Sequence, residues 1–337
     1  MILHLLPEHR DGCSYHRIEV PMHNLNGFDL AATTMLDGIT DDDLKKISLV
    51  VFNRDACIFD VDKQLSRLKR LKIPYVMDMD DFWELDKKHL LHKDFKNNVS
   101  HRITKLLKGA HGVTTTTPRL ARKIDRYNKN VLVVPNALDA SQPQFAPVNS
   151  KNPTPRFGWV GGVHHVEDLR LLLPAFEKIH KEDKVHIALG GFTNNDVYMV
   201  FDAWFSNRGT YQKYVRIPAD DVYNYGKIYN QIDVALIPLC DNKFNSCKSP
   251  LKILEAGFKG KAVIVSRVAP YTDDFTDKEV LFVDSPADWY DSIMKLHNSP
   301  ELLLNYSSAL SERMADFEIK KVNVLREQFY TTIINGR

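Results

Sequence analysis

The chain has 337 residues, 44% of them hydrophobic and 26% charged, with a formal charge of +2 at pH 7. That length suits two domains better than one core, and the even charge balance excludes a global basic field of the kind nucleic-acid binding would impose. Cys13, Cys57, Cys240 and Cys247 show no CxxC spacing and suit a reducing compartment better than a disulfide framework or a zinc site.

The opening MILHLLPEHR lacks the basic start and long apolar run of a secretion signal, and no apolar run approaches a membrane span. The expected location is the cytoplasm. Short apolar runs then alternate with amphipathic stretches, the rhythm of βα units and parallel sheet. Strands are predicted at 2–6, 47–53, 75–79, 112–117 and 131–136, with helices near 16–26, 60–72, 98–109 and 118–127. In the helix at 60–72, Leu65, Leu68 and Leu71 line one side, and Lys63, Arg67 and Arg70 the other. The stretch ASQPQFAPVNSKNPTP (140–155), rich in Pro, Ser and Asn, is the best linker. Beyond it the rhythm restarts, with strands predicted at 156–162, 184–191, 214–218, 233–239, 261–266 and 280–285. In the tail, Val322, Leu325, Phe329 and Ile333 share a helical face. The expected architecture is α/β: two doubly wound Rossmann-like domains with a cleft between them. The first covers 1–145, the second 146–315, and a helix at 316–337 packs back on the first. Ligands in such folds sit at the carboxyl ends of strands, against helix N-termini.

KSPLKILEAGFKGKAVIVS (248–266) carries the most specific signal. Ser249 reads as an N-cap and Pro250 as the first helical residue. Leu251, Leu254 and Phe258 form a buried stripe, and Lys252 and Glu255 share another face. A surface Lys–Glu pair would be worth only a few tenths of a kcal/mol, and Lys before Glu is the weaker order. Lys248 adds a second cation at a helix end that is already partly positive. A diphosphate there would be met by free N–H groups, the helix dipole and two ammonium groups.

These residues, with IYNQIDVALIPL before them, resemble the donor-binding signature of retaining nucleotide-sugar glycosyltransferases of GT-B fold, in the "group 1" bacterial branch with its KS-x-x-K-x-x-E block. The resemblance implies that Glu255 holds the ribose hydroxyls of a nucleotide. It implies equally that Lys248, Lys252 and the backbone of Ser249, Pro250 and Leu251 hold the diphosphate. FGWVGGVHHVEDLRLLLPAF (157–176) is similar to the family's glycine turn. By that match Gly161 and Gly162 face the donor, His165 reaches a phosphate or the sugar, and Asp168 caps or braces its own helix. GVTTTTPRLARKI with VLVVPNALD, GCSYHRIEVPMHNL (12–25) and VMDMDDFWE (76–84) resemble signatures of the first domain. Many retaining members carry a Glu eight positions before the one matching Glu255, and Cys247 stands there in this chain.

DMDD (78–81) matches the D-x-D pattern of metal-dependent glycosyltransferases, as do DVD (60–62) and DDD (41–43). In a GT-B fold no metal is expected. Asp80 or Asp81 would then face the acceptor or pair with a cation such as Arg17. His16 and Arg17 follow the first strand; His16 reads equally as an acid/base or acceptor-holding group and as part of a solvated helix-start pair. The candidate catalytic residues are therefore Lys252, His16 and Asp81, with Arg17, Asp80 and Asp81 on the acceptor side. The expected reaction moves a sugar from a nucleotide-diphosphate sugar to an acceptor hydroxyl, with retention, no cofactor and no metal. The expected partners are a UDP-sugar or similar donor and a glycan or lipid-linked glycan acceptor, with at most peripheral membrane contact. Three other readings stay open: a phage-type transferase acting on modified DNA bases, a nucleotide-sugar 2-epimerase, and a non-catalytic nucleotide-sugar-binding partner. The basic stretches 63–72, 101–111 and 119–129 are what keep the DNA reading in view.

Overall fold

The computed structural model describes residues 1–54, 60–85, 87, 92–148 and 152–336; Cys57 and linker residues 149–151 lie outside them. The chain divides into two compact units, one of residues 1–139, 246–249 and 317–337, the other of residues 140–245 and 250–316.

The first unit is built on strands β1 (Ile2–Leu5), β2 (Leu30–Thr33), β3 (Leu49–Asn53), β4 (Tyr75–Met79), β5 (Gly112–Thr115) and β6 (Val131–Val133). They form one sheet in the order β2-β1-β3-β4-β5-β6, every neighbouring pair parallel. In β1, β3, β4 and β5 every residue is buried, as strands covered on both faces must be, which is why they read as near-continuous apolar runs. Strand β2 was not predicted. Its sequence LAAT lies half-buried at the sheet edge, with neither β-branched alternation nor an apolar run to announce it. The C-terminal helix Ile319–Asn335 belongs to this unit, and its Tyr330 and Ile333 pack in a core with Ile2, Leu49, Val51 and Val76. Leu325 on that helix is exposed, so the predicted four-residue stripe is incomplete. In the helix Val61–Arg70, the buried positions are Val61, Gln64 and Leu68, a stripe rotated from the predicted leucines. Arg67 turns inward to donate to the Leu36 carbonyl and to pair with Asp41 at 2.8 Å, so its flank is not the solvated one expected.

The second unit holds β7 (Arg156–Val160), β8 (His186–Phe192), β9 (Tyr214–Pro218), β10 (Val234–Ile237), β11 (Ala262–Ser266) and β12 (Leu281–Val283). Their order is β12-β11-β10-β7-β8-β9, again all parallel. Its core runs from Phe157 and Trp159 through Leu189, Phe201 and Phe205 to Ile264 and Trp289. In each sheet the strand order reverses once, between β1 and β3 and between β7 and β10. Ligand sites of doubly wound folds form at the carboxyl ends of such a pair.

Candidate functional site

In the second unit the chain leaves β7 through Gly161 and Gly162. A Cβ at Gly161 would lie 2.7 Å from the Trp159 indole and 2.8 Å from the Lys252 ammonium nitrogen, so Lys252 rests against the glycine turn. The same ammonium lies 5.8 Å from the centroid of the buried Trp159 ring, a cation–π distance. Gly191, the second-last residue of β8, adopts φ +83°, and a Cβ there would meet the Gly161 carbonyl oxygen at 2.9 Å. Tyr198 donates its hydroxyl to that same carbonyl. Around Gly162 a Cβ would meet nothing within 4 Å. Glycine is therefore required at 161 and 191 by packing, while at 162 it leaves the backbone open to approach.

The helix after the KS motif runs Leu251–Phe258 and is capped by Pro250, with no side-chain cap. Here the sequence reading is corrected. Ser249 is not the N-cap; its hydroxyl accepts from Asn136 Nδ2 at 2.6 Å within the first unit, to which residues 246–249 belong. Lys248 falls in that same segment. The helix is also less amphipathic than expected, being buried from Ile253 to Phe258 while Leu251 is only half-buried. Glu255 is one of those buried residues, at 5% exposure. It accepts the Tyr225 hydroxyl at 2.6 Å and the Tyr229 hydroxyl at 2.8 Å. Burial pushes its carboxyl above the usual range, against the pull of the Lys252 charge and of the two phenols.

His165 and Asp168 meet directly, Nδ1 to Oδ2 at 2.8 Å, and the His165 ring packs edge-on against Trp159. Asp168 does more than brace its own helix. Its other oxygen accepts from the Cys240 N–H at 2.8 Å and from Asn245 Nδ2 at 3.2 Å. One buried carboxylate thus ties the segment after β7 to the segment after β10, across the point where the strand order reverses.

The first unit has its own polar cluster at its own reversal. Arg17 and Asp78, both buried, form a two-pronged ion pair at 2.9 and 2.8 Å. Arg17 also donates to the Val134 carbonyl at 2.9 Å and to Asn136 Oδ1 at 3.1 Å, and Thr114 donates to Asp78 at 2.6 Å. The expected pairing of Arg17 with Asp80 or Asp81 is therefore corrected to Asp78. Asp80 and Asp81 instead lie 3.4 and 3.7 Å from the guanidinium of Arg54, the residue after β3. His16 is buried, and burial with the neighbouring Arg17 charge pushes its imidazole down to about 3. A solvated His16–Arg17 pair is excluded: both are interior groups, and His16 is a neutral imidazole at pH 7. Among the described residues no three His, Cys, Asp or Glu side chains group as metal ligands, and no helix is long and apolar enough to cross a membrane.

The sequence reading missed Trp159, the floor shared by Lys252 and His165, as well as Arg54 and the Tyr225–Tyr229 pair. Two tyrosines four apart just before a predicted strand were a usable signal; the tryptophan reads as ordinary strand core until its neighbours are known.

A family model described as "Glycosyl transferases group 1" matches residues 154–299, the stretch holding both the glycine turn and the helix of Lys252 and Glu255. No curated protein matches the sequence. Among solved structures, a glycosyltransferase from Rickettsia africae superposes with a TM-score of 0.69 at 11% identity, covering 100% of this chain and 99% of its own. Anabaena HepE, solved with UDP and glucose, superposes at 0.72 with 10% identity over 98% of this chain and 99% of that one. The sucrose-phosphate synthase of Thermosynechococcus elongatus gives 0.65 at 14% identity over 88% and 78%. The two all-parallel six-stranded sheets are thus of the GT-B fold that these solved glycosyltransferases share, and within the second sheet's unit residues 154–299 match the group 1 glycosyltransferase model.

Proposed function

We propose that this enzyme transfers a sugar from a UDP-sugar to a hydroxyl of a glycan or lipid-linked glycan, with retention, in the cytoplasm and without a metal. The observation that carries the donor reading is the Lys252 ammonium resting on Gly161 at the start of a helix that no side chain caps. Charge grows on the departing diphosphate, and fixed donors aimed at it are the largest contribution a protein makes to such a step. Lys252, the backbone of Pro250 and Leu251 and the open Gly162 turn supply them, and Lys248 and Ser249, one segment earlier, are assigned to the same diphosphate. His165, steadied by Asp168, is placed beside the phosphates or the sugar, and Glu255 takes the ribose. With retention, the leaving phosphate accepts the acceptor's proton on the same face, so no protein nucleophile is needed and Cys247 in place of a Glu is compatible with the reaction. Asp80 and Asp81, drawn to Arg54, and the buried His16 and Arg17 serve the acceptor side by shaping it.

HepE, solved with UDP and with UDP-glucose, supports the choice of UDP. Support for a glycan rather than a phosphodiester acceptor comes from the basic stretches, where several cations are drawn to carboxylates: Lys63 to Asp37, Arg67 and Arg70 to Asp41, Lys105 to Asp62, Lys129 to Asp125. Metal independence is supported by Asp78 being committed to Arg17, and Asp80 and Asp81 lying at Arg54.

The test is UDP-sugar turnover against an acceptor pool, with the product anomer read by NMR and the assay repeated in EDTA. Lys252→Met should lower kcat by about a hundredfold or more, the loss typical of one such charged donor. Near-normal turnover and donor binding in both Lys252→Met and Glu255→Ala would sink the site.

A further inference from the structure

Glu255 is held at both oxygens by phenols of its own unit, Tyr225 on Oε1 and Tyr229 on Oε2. The two tyrosines stand four residues apart on one helical turn segment, Tyr225–Gln231. Tyr225 is steadied edge-on by the buried Phe145 ring, and Tyr229 is itself buried. Burial, reinforced by the Glu255 charge, keeps the Tyr229 proton in place far above the ordinary range. Each phenol has one proton to give, and each gives it to a Glu255 oxygen, an arrangement that favours the ionised carboxylate. An ionised carboxylate offers about four lone-pair directions, and the phenols take about half of them. What is left can only accept. A ligand group that meets Glu255 must therefore bring hydrogen-bond donors, and a buried acceptor left unmatched is costly.

We infer that Tyr225 and Tyr229 are positioning residues that fix the Glu255 carboxylate as a pair of oriented acceptors, and so make the donor site select a ribonucleotide, whose vicinal diol brings two hydroxyl donors, over its 2′-deoxy or 3′-deoxy counterpart. The inference rests on the reading of Glu255 as the ribose-holding carboxylate. The groups acting on that carboxylate are Lys252 from its own helix and the two phenols from the facing segment. All three favour the ionised form, so deleting a phenol raises the carboxyl's affinity for protons and moves the acid limb of nucleotide binding to higher pH.

The experiment is calorimetric titration of the full chain with UDP, 2′-deoxy-UDP and 3′-deoxy-UDP, from about pH 5 to about pH 8. The wild type should prefer UDP by about tenfold or more, the equivalent of one matched hydrogen bond. Glu255→Ala should abolish that preference. Tyr229→Phe and Tyr225→Phe should each weaken the preference severalfold and shift the acid limb upward. Tyr225, being only half-buried, keeps the test available if Tyr229→Phe folds poorly. A preference that survives Glu255→Ala overturns the reading of Glu255 itself. A preference lost in Glu255→Ala, but with both ratio and acid limb intact in the two phenylalanine variants, overturns the positioning role alone.

Discussion

The Arg17–Asp78 pair shows how far a residue's role depends on its neighbours. Both side chains are 1% exposed, and each prong of the guanidinium meets a carboxylate oxygen. Removing one partner would strand the other charge in the interior, so Arg17→Met or Asp78→Asn should cost about 3–5 kcal/mol. The measurement is loss of hydrogen-exchange protection across β3, β4 and β5. A double change to apolar residues should recover much of the loss, because no orphaned charge remains. In sequence, Asp78 was one of several cheap D-x-D matches, and Arg17 was an acceptor-side candidate expected to pair with Asp80 or Asp81. Only the fold shows that they belong to each other, and that Asp80 and Asp81 turn to Arg54 instead.

At the scale of elements, the glycine turns at the ends of β7 and β8 are coupled. Gly191 needs its positive φ, and a Cβ there would also lie 2.9 Å from the Gly161 carbonyl oxygen and 3.3 Å from the Tyr198 hydroxyl that is bonded to it. Gly191→Ala should therefore destabilise the second unit by about 1–3 kcal/mol for the backbone conformation alone, with a further steric penalty at the carbonyl. It should also weaken donor binding by displacing the turn, whereas Gly162→Ala, at an open position, should leave the melting temperature nearly unchanged and affect donor binding only. Thermal denaturation paired with UDP titration separates the two. Asp168→Ala should loosen the Cys240–Asn245 segment, seen as faster amide exchange there, because two of its hydrogen bonds end on that carboxylate. The sequence presented Asp168 only as a helix-bracing residue. Its partners at 240 and 245 come from beyond β10, and no local pattern predicts a contact seventy residues away.

For the molecule as a whole, the buried histidines set an acid limit. His16 is pushed down to about 3 by burial and Arg17, and His4 to about 4, chiefly by burial. Both have folded values below the unfolded 6.5. Below that pH the unfolded chain binds more protons, so the stability these groups contribute is present above 6.5 and lost as the pH falls towards the folded values. Denaturation midpoints of the first unit should fall between about pH 6.5 and pH 4, with a slope on the order of 1.4 kcal/mol per pH unit per histidine. Replacing His16 with Gln should flatten that slope; an unchanged pH profile would show that His16 is not a buried neutral group.

The sequence by itself determined the α/β class, the restart of the βα rhythm after the linker, and eleven of the twelve strands found among the described residues. It also marked the glycine turn and the Lys252–Glu255 helix. These are local properties: apolar runs mark strands buried on both faces, and the turn and helix chemistry is written within a few residues. Strand β2 escaped because an edge strand half open to solvent needs neither pattern. Tertiary structure alone decided that Pro250 rather than Ser249 caps the helix Leu251–Phe258, and that Trp159 underlies both Lys252 and His165. It alone decided, too, that two phenols hold Glu255 and that Asp78 is the partner of Arg17. Each of those outcomes depends on which side chains arrive from distant segments to satisfy a buried polar group. That demand arises only when the chain has folded and excluded the water that would otherwise meet it.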